Sequence, residues 1–388
     1  MNLAKYSFLI FIFLKQFYIF KSGTLQPGDL FLLISFLLCI VNKKRMFYLS
    51  KIDCLLAIFL FFVILINLIY YYIYLDIDFI MSTLHYIFSF IVVIVFRRLL
   101  QEGNFISQLL NVLKINLILQ VIILILGLGE YYGSIRYMGT FNDPNQFAFF
   151  VYTTLMLLVL GSKLELKKVS VIYYLITLIM IFESGSTGML LAILIFLGLD
   201  IAINVFIKSH TKLYKLKFRV IKIIPFLLIT TVLLIFLVQN REEISKNLYE
   251  SPILQRLEQK LEKVQGKKES GLIEERGIDK LLLYPEKIIL GAGQGKYSRF
   301  DKAAHQLEIH STFPSILFYY GILPTFILLC WIYKHIRYLP IEIYSVILSL
   351  FLESFTLLNQ RQPFFWMIFI LVGFISHQFK MSKNIRRL

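Results

Sequence analysis

Apolar stretches recur from one end of this chain to the other, most of them long enough to cross a hydrocarbon core of about 30 Å as a helix. They fall near residues 6–20, 24–41, 54–75, 79–96, 106–128, 145–161, 169–182, 188–207, 220–239, 311–333, 341–357 and 363–379, twelve in all. Within lipid every backbone N–H and C=O must find its partner inside the protein, so repeated stretches of this length call for a helix bundle. With 58% hydrophobic and only 16% charged residues, the chain is excluded from the soluble globular class. The expected fold is an all-α polytopic membrane protein of about twelve transmembrane helices, with residues 1–388 forming a single integral membrane domain. The first stretch runs into the second without a small-residue cleavage site, so it is expected to be a retained helix and not a removed signal peptide.

The net charge of +16 would suggest nucleic acid in a soluble protein, but its placement argues against a nucleic-acid face. One set of alternate connections, from Lys5 to the tail after Lys380, carries 22 Lys and Arg, whereas the short connections on the other side carry only Lys21, Arg136 and Arg361. That asymmetry follows the positive-inside rule and puts both termini in the cytoplasm. Lys15 and Lys114 fall inside or at the ends of spans, where snorkelling to the interface is the simplest expectation. Cys39, Cys54 and Cys330 lie in or beside apolar stretches without CxxC or Cys/His spacing; they are expected to be small core residues, with neither a metal site nor a disulfide framework. No cofactor is expected.

One long polar segment interrupts the pattern, from Gln239 to His310, and the topology places residues 240–310 as a large loop on the outer side. It carries 13 Lys and Arg against 12 Asp and Glu. Ser251-Pro252 reads as a helix start, and Ile253, Leu254, Leu257, Leu261 and Val264 recur at helical spacing. A second helix is expected from Leu272 to Tyr284, closed by Pro285. Two amphipathic helices need an apolar surface to lie on, which the outer ends of the spans would supply.

Three places could carry chemistry on the outer side. In Asn142-Asp143-Pro144-Asn145, Pro144 suits the first helical position and Asn142 or Asp143 can cap; with Arg136 nearby, such a helix start is either an anion site or a plain structural cap. In the loop, Arg276 precedes Gly291-Ala292-Gly293-Gln294-Gly295, whose glycines let a backbone approach a ligand closely, although the Walker spacing of a nucleotide site is missing. His310 sits where the loop re-enters the membrane, positioned to take a proton from a hydroxyl, with His305 as its competitor. His85 and His335 are given no role. The Glu183–Gly188 connection reads either as a hairpin turn or as a small-residue backbone site near a ligand.

In this order, Arg136-x-x-Gly139-Thr140-Phe141-x-Asp143-Pro144-Asn145, then Arg276, Gly291-x-Gly293-x-Gly295 and His310 opening a span that runs to Tyr320-Gly321-Ile322-Leu323, the chain resembles the O-antigen polymerase and O-antigen ligase superfamily of membrane glycosyltransferases. Members often carry an arginine in a short Ser-Arg-Gly turn; here the corresponding turn reads Ser184-Gly185-Ser186-Thr187-Gly188, and Arg361 is the remaining outer arginine that could substitute. The resemblance implies glycosyl transfer at the outer face of the bacterial cytoplasmic (inner) membrane. Donor and acceptor would be undecaprenyl-diphosphate-linked oligosaccharides, and a chain-length regulator and a flippase of the same pathway would be further partners. It assigns base catalysis to His310 and charge stabilisation to Arg276 and Arg136, with Asn142, Asp143, Asn145, Gly291, Gly293, Gly295 and Arg361 contacting substrate. Surface-polysaccharide polymerase is the favoured activity. Ligation of the glycan to lipid A core is the alternative within the superfamily, and a non-enzymatic flippase is the alternative outside it.

Overall fold

The computed structural model describes residues 1–20, 26–41, 50–133, 135–209, 272–303 and 305–385. Before the long polar segment come α1 (Asn2–Leu14), α2 (Pro27–Val41), α3 (Asp53–Tyr74), α4 (Asp78–Leu99), α5 (Phe105–Ile125), α6 (Pro144–Leu164), α7 (Val171–Glu183) and α8 (Thr187–Ser209). After it come the single turns α9 (Leu272–Glu275), α10 (Lys280–Leu283) and α11 (Lys287–Leu290), then α12 (Thr312–Tyr320), α13 (Ile322–Ile336), α14 (Tyr344–Ser354) and α15 (Pro363–Ile385). Among the described residues, α3, α4, α5, α6, α8 and α15 are the six helices long and apolar enough to cross a membrane, while α1, α2, α7 and α13 are shorter apolar helices. The expected helix beginning at Ser251 and the apolar stretch at 220–239 lie outside the described residues.

Helix α6 is apolar on every face, and a helix of that kind belongs in the middle of a bundle. Every residue from Phe147 to Leu160 is buried, against α5, α7 and α15. The same holds for Pro363 to Val372 of α15, which packs on α4, α6 and α13. Peripheral helices instead turn Leu37, Phe61, Tyr72 and Ile172 outward, the surface that lipid would cover. Of the cysteines only Cys39 is buried; Cys330 is half-buried and Cys54 exposed, so the expectation of three core cysteines holds for one.

Apolar packing does not orient helices strongly in lipid, and polar side chains between them add direction. Gln16, just past α1, donates to Asn116 Oδ1 at 3.0 Å and accepts from Gln120 Nε2 at 3.0 Å; Gln120 also donates to Thr140 Oγ1 at 2.9 Å. This network ties α1 and α5 to a β-hairpin of β1 (Glu130–Tyr132) and β2 (Arg136–Gly139), in which Tyr131 faces Tyr137 and Tyr132 faces Arg136. Tyr131, Tyr132 and Tyr137 on either side of Gly133 are strand formers around a turn residue, so the connection before α6 has the composition of a hairpin.

Two helices expected to be continuous are broken, each at a glycine. The span at 311–333 is two helices meeting at Gly321, whose φ is +81°. Residues 291–295 fill the break: Ala292 N–H donates to Phe318 O at 3.0 Å and Gly293 N–H to Tyr319 O at 2.8 Å. Those carbonyls at the end of α12 would otherwise be bare. The expected loop helix from Leu272 to Tyr284 is two single turns, α9 and α10, separated where Gly277 takes a φ of +67°.

Gly321 cannot tolerate a side chain: its φ is in the left-handed region, and a Cβ would lie 2.6 Å from the Ile289 carbonyl oxygen. Gly321→Ala should therefore destabilise the protein by roughly 1–3 kcal/mol, seen as a lower Tm in detergent. Gly198→Ala, where a Cβ meets nothing within 4 Å, should leave Tm unchanged or slightly raised.

Candidate functional site

At the end of the bundle where α1 finishes and α2, α4, α6, α12 and α15 begin, the helices enclose a cavity of about 850 Å³. One wall is apolar, from α2 and α4, with Leu33, Leu84, Ile87, Phe88 and Ile91. The facing pole is polar, with Asn142, Asp143, Asn145, Gln146, Glu308, His310, Asn359 and Arg361. Lys15, Asp29 and His85 complete the lining on the α1, α2 and α4 side.

Five of the residues expected to form a site thus line one cavity: Asn142, Asp143, Asn145, His310 and Arg361. Their roles differ from expectation in one respect. Asp143 Oδ1 accepts the amides of Asn145 at 2.8 Å and Gln146 at 3.0 Å, so of the two readings of this helix start the structural cap is the one present, and the amides already hold a carboxylate. Asn142 Nδ2 donates to Phe20 O at 2.7 Å, tying this corner to the end of α1.

The structure does not bring Arg136, Arg276, Gly291, Gly293 or Gly295 into the lining. Arg136 is buried behind Asn145, donating to its Oδ1 at 3.0 Å and to Ser184 O at 2.9 Å. It lies across Gly185, so the Glu183–Gly188 connection is a turn that an arginine from β2 secures. Arg276 sits behind His310: its guanidinium donates to His310 O at 3.3 Å and to Thr356 O, and its own carbonyl accepts His310 N–H at 2.9 Å. The two arginines hold the cavity wall from outside, so the expected diphosphate clamp between them is not what the geometry presents. The glycine run is buried, and its close approaches are to Tyr70, Phe79 and the end of α12. Glycines serve a near neighbour of any kind, and here that neighbour is protein.

The residue in that run that reaches the site is Gln294. Its backbone N–H donates to Asn67 Oδ1 at 2.9 Å and its side chain donates to Glu308 Oε1 at 2.5 Å. Glu308 Oε1 also accepts from Arg361 at 2.5 Å and from the Tyr297 hydroxyl at 3.0 Å. Arg361 is further fixed through its neighbours: Asn359 N–H donates to Thr312 Oγ1 at 2.8 Å and Gln360 Nε2 to Ser315 Oγ at 3.2 Å, fastening this connection to the first turn of α12. Burial is the largest influence on the pKa of Arg361 and lowers it, but the Glu308 carboxylate together with Tyr297 and Tyr86 outweighs it and raises the value, so the guanidinium is a fixed cation.

His310 is exposed to the cavity and has no side-chain hydrogen bond among the described residues. Partial desolvation, helped by the positive charges of Arg276 and Lys280 and opposed by Glu308, holds its pKa below the ordinary imidazole value, so the ring is neutral near pH 7. His305 lies outside the lining, its ring 5.4 Å from that of His310. Lys280, buried and with its pKa lowered to about 8 by burial, donates to His305 O at 2.7 Å and to Leu307 O, which fixes the approach to His310.

Glu308, Lys15, Asp29 and His85 were missed or discounted in the sequence. Glu308 shares the loop re-entry that singled out His310. Lys15 does not snorkel; it is buried in an ion pair with Asp29 at 2.9 Å. An ionisable residue inside an apolar stretch was the available signal for Lys15 and His85.

No protein-family model matches the chain, and no curated protein matches it. The functional reading therefore stands on the chemistry of the cavity. Removing the carboxylate should expose how strongly Arg361 depends on it: Glu308→Gln should lower stability in denaturant titrations more in the native background than in Arg361→Gln, a coupling of roughly 0.5–3 kcal/mol in a double-mutant cycle.

Proposed function

We propose that this protein is a membrane-embedded glycosyltransferase, a surface-polysaccharide polymerase of the O-antigen type. In this reading it has about twelve spans and cytoplasmic termini, and the cavity opens at the outer face of a bacterial cytoplasmic membrane. The observation that carries it is the composition of the cavity, which joins an apolar wall to a polar pole holding a neutral imidazole and a fixed guanidinium. A substrate with a prenyl chain, a diphosphate and a glycan has matching parts in the same order.

The chemistry follows from the leaving group. A glycan on a polyprenyl diphosphate is already activated at its anomeric carbon. His310 takes the proton from the acceptor sugar hydroxyl as its oxygen bonds to that carbon. The bond from the anomeric carbon to the phosphate oxygen breaks, its electron pair leaves with the polyprenyl diphosphate, and Arg361 stabilises the charge that develops there. A single displacement of this kind inverts the anomeric centre. Asn142 and Asn145 offer amide groups to the sugars. Arg136 and Arg276 act as positioning residues, holding Asn145 and His310 in place. A flippase would need a polar route across the bundle; the charged set at the opposite end, Arg97 with Asp53 and His335, is instead closed on itself, with Arg97 to Asp53 at 2.7 Å.

At matched protein levels, His310→Ala should abolish polymer formation, and Arg276→Lys should lower it, because lysine lacks the planar guanidinium whose Nη1 bonds both the His310 and Thr356 carbonyls and its hydrated ammonium does not reproduce that fixed geometry. Since the His310 pKa is depressed, transfer should remain constant from alkaline pH down through neutrality. It should fall only below the ordinary imidazole value of about 6.5. In a Gram-negative host, a deletion strain should make lipopolysaccharide core bearing a single repeat unit. Bare core with accumulated lipid-linked polymer would instead mark a ligase, and a block in translocation would mark a flippase.

A further inference from the structure

The reaction above uses the polar pole of the cavity and leaves the opposite side without a task. That side holds two nitrogen-bearing groups. Lys15 follows α1 and is 8% exposed, with its ammonium 2.9 Å from Asp29 Oδ1 and over the rings of Tyr18 at 5.7 Å and Phe88 at 5.4 Å. Asp29 is fixed in turn, its other oxygen accepting the Gln26 amide at 2.9 Å. An ammonium has three N–H donors, and Asp29 is the one hydrogen-bond partner of Lys15 among the described residues.

His85 stands one helical turn before Phe88 on α4, so it shares the face on which the Lys15 ammonium rests. It lines the cavity and has no hydrogen-bond partner among the described residues. The charges of both Arg361 and Lys15 reach it, and all three residues line the same cavity. A ring of this kind on an otherwise apolar helix face gains nothing from packing that a phenyl ring would not supply. Its N–H is useful only to something that enters the cavity.

We propose that Lys15 and His85 form a second anion-binding pole facing Arg361, and that the two poles together hold the two phosphates of a polyprenyl diphosphate, with the prenyl chain along Leu33, Leu84 and Ile91. This rests on the reading of the cavity as a lipid-diphosphate site. Asp29 and Glu308 hold the two cations in place until phosphate oxygens share them. Lys15 contributes charge, and His85 contributes a donor without adding a cation.

The test uses the full chain in lipid nanodiscs with farnesyl diphosphate as the probe and binding read by titration calorimetry. Lys15→Gln should weaken binding by about tenfold or more and His85→Ala by roughly two- to tenfold, while Lys15→Arg keeps most of the affinity. Farnesyl monophosphate, too short to engage both poles, should bind more weakly than the diphosphate to the native protein, and Lys15→Gln should narrow that gap. Inorganic pyrophosphate binding as tightly as farnesyl diphosphate would refute the lipid part of the assignment. If Lys15→Gln and His85→Ala, with unchanged Tm, bind the diphosphate like the native protein while Arg361→Gln does not, the second pole is wrong and the cavity reading survives. A native protein that neither binds the probe nor makes polymer overturns both. His85→Ala breaks no hydrogen bond among the described residues, so this arm reads binding even if Lys15→Gln fails to fold.

Discussion

A line of hydrogen bonds runs from the buried Asn67 on α3 through the buried Gln294 to the half-buried Glu308 and Arg361, and the geometry of the cavity depends on it. Each member would be expensive to bury alone, and each is made affordable by the next. Gln294 is the critical joint, fully buried and also accepting the Tyr320 hydroxyl at 2.7 Å. Through this line Gln294 and Glu308 of the long polar segment, the helix that follows it and the connection before α15 become one pole, with the Arg361 guanidinium at its tip.

The helices were legible because long apolar stretches permit few alternatives, and among the described residues most of those stretches are helices. The grouping of Asn142, Asp143, Asn145, His310 and Arg361 was legible too, since all belong to connections on one side. What the sequence concealed was which groups are already occupied. Nothing in Asn-Asp-Pro-Asn says that Asp143 fills the helix start itself, or that the glycines at 291, 293 and 295 are small for the sake of Tyr70, Phe79 and a helix end. Arg136 and Arg276 have the right charge for phosphate, but carbonyls of the protein claim their donors. Lys15 was misjudged for a related reason, because snorkelling assumes an open path to the interface and Asp29 stands nearer.

A division of labour follows among the arginines. Those that bond to backbone carbonyls set the shape of the wall, while Arg361, held by a carboxylate, keeps its charge directed at the cavity. The carbonyls fix Arg136 and Arg276 to the backbone behind the wall, whereas Arg361, paired with Glu308, lines the cavity itself. The partner, more than the arginine itself, decides which of these residues can meet a substrate.

The break at Gly321 bears on how the chain is assembled. The carbonyls that α12 leaves bare at its end and the amides of Ala292 and Gly293 are each untenable in an apolar interior until they meet. Neither half can be completed first, so residues 291–295 cannot settle before the helices that follow them. Their docking has to coincide with the closing of α12 onto α13, which ties the pole built by Gln294 and Glu308 to the placement of those two helices.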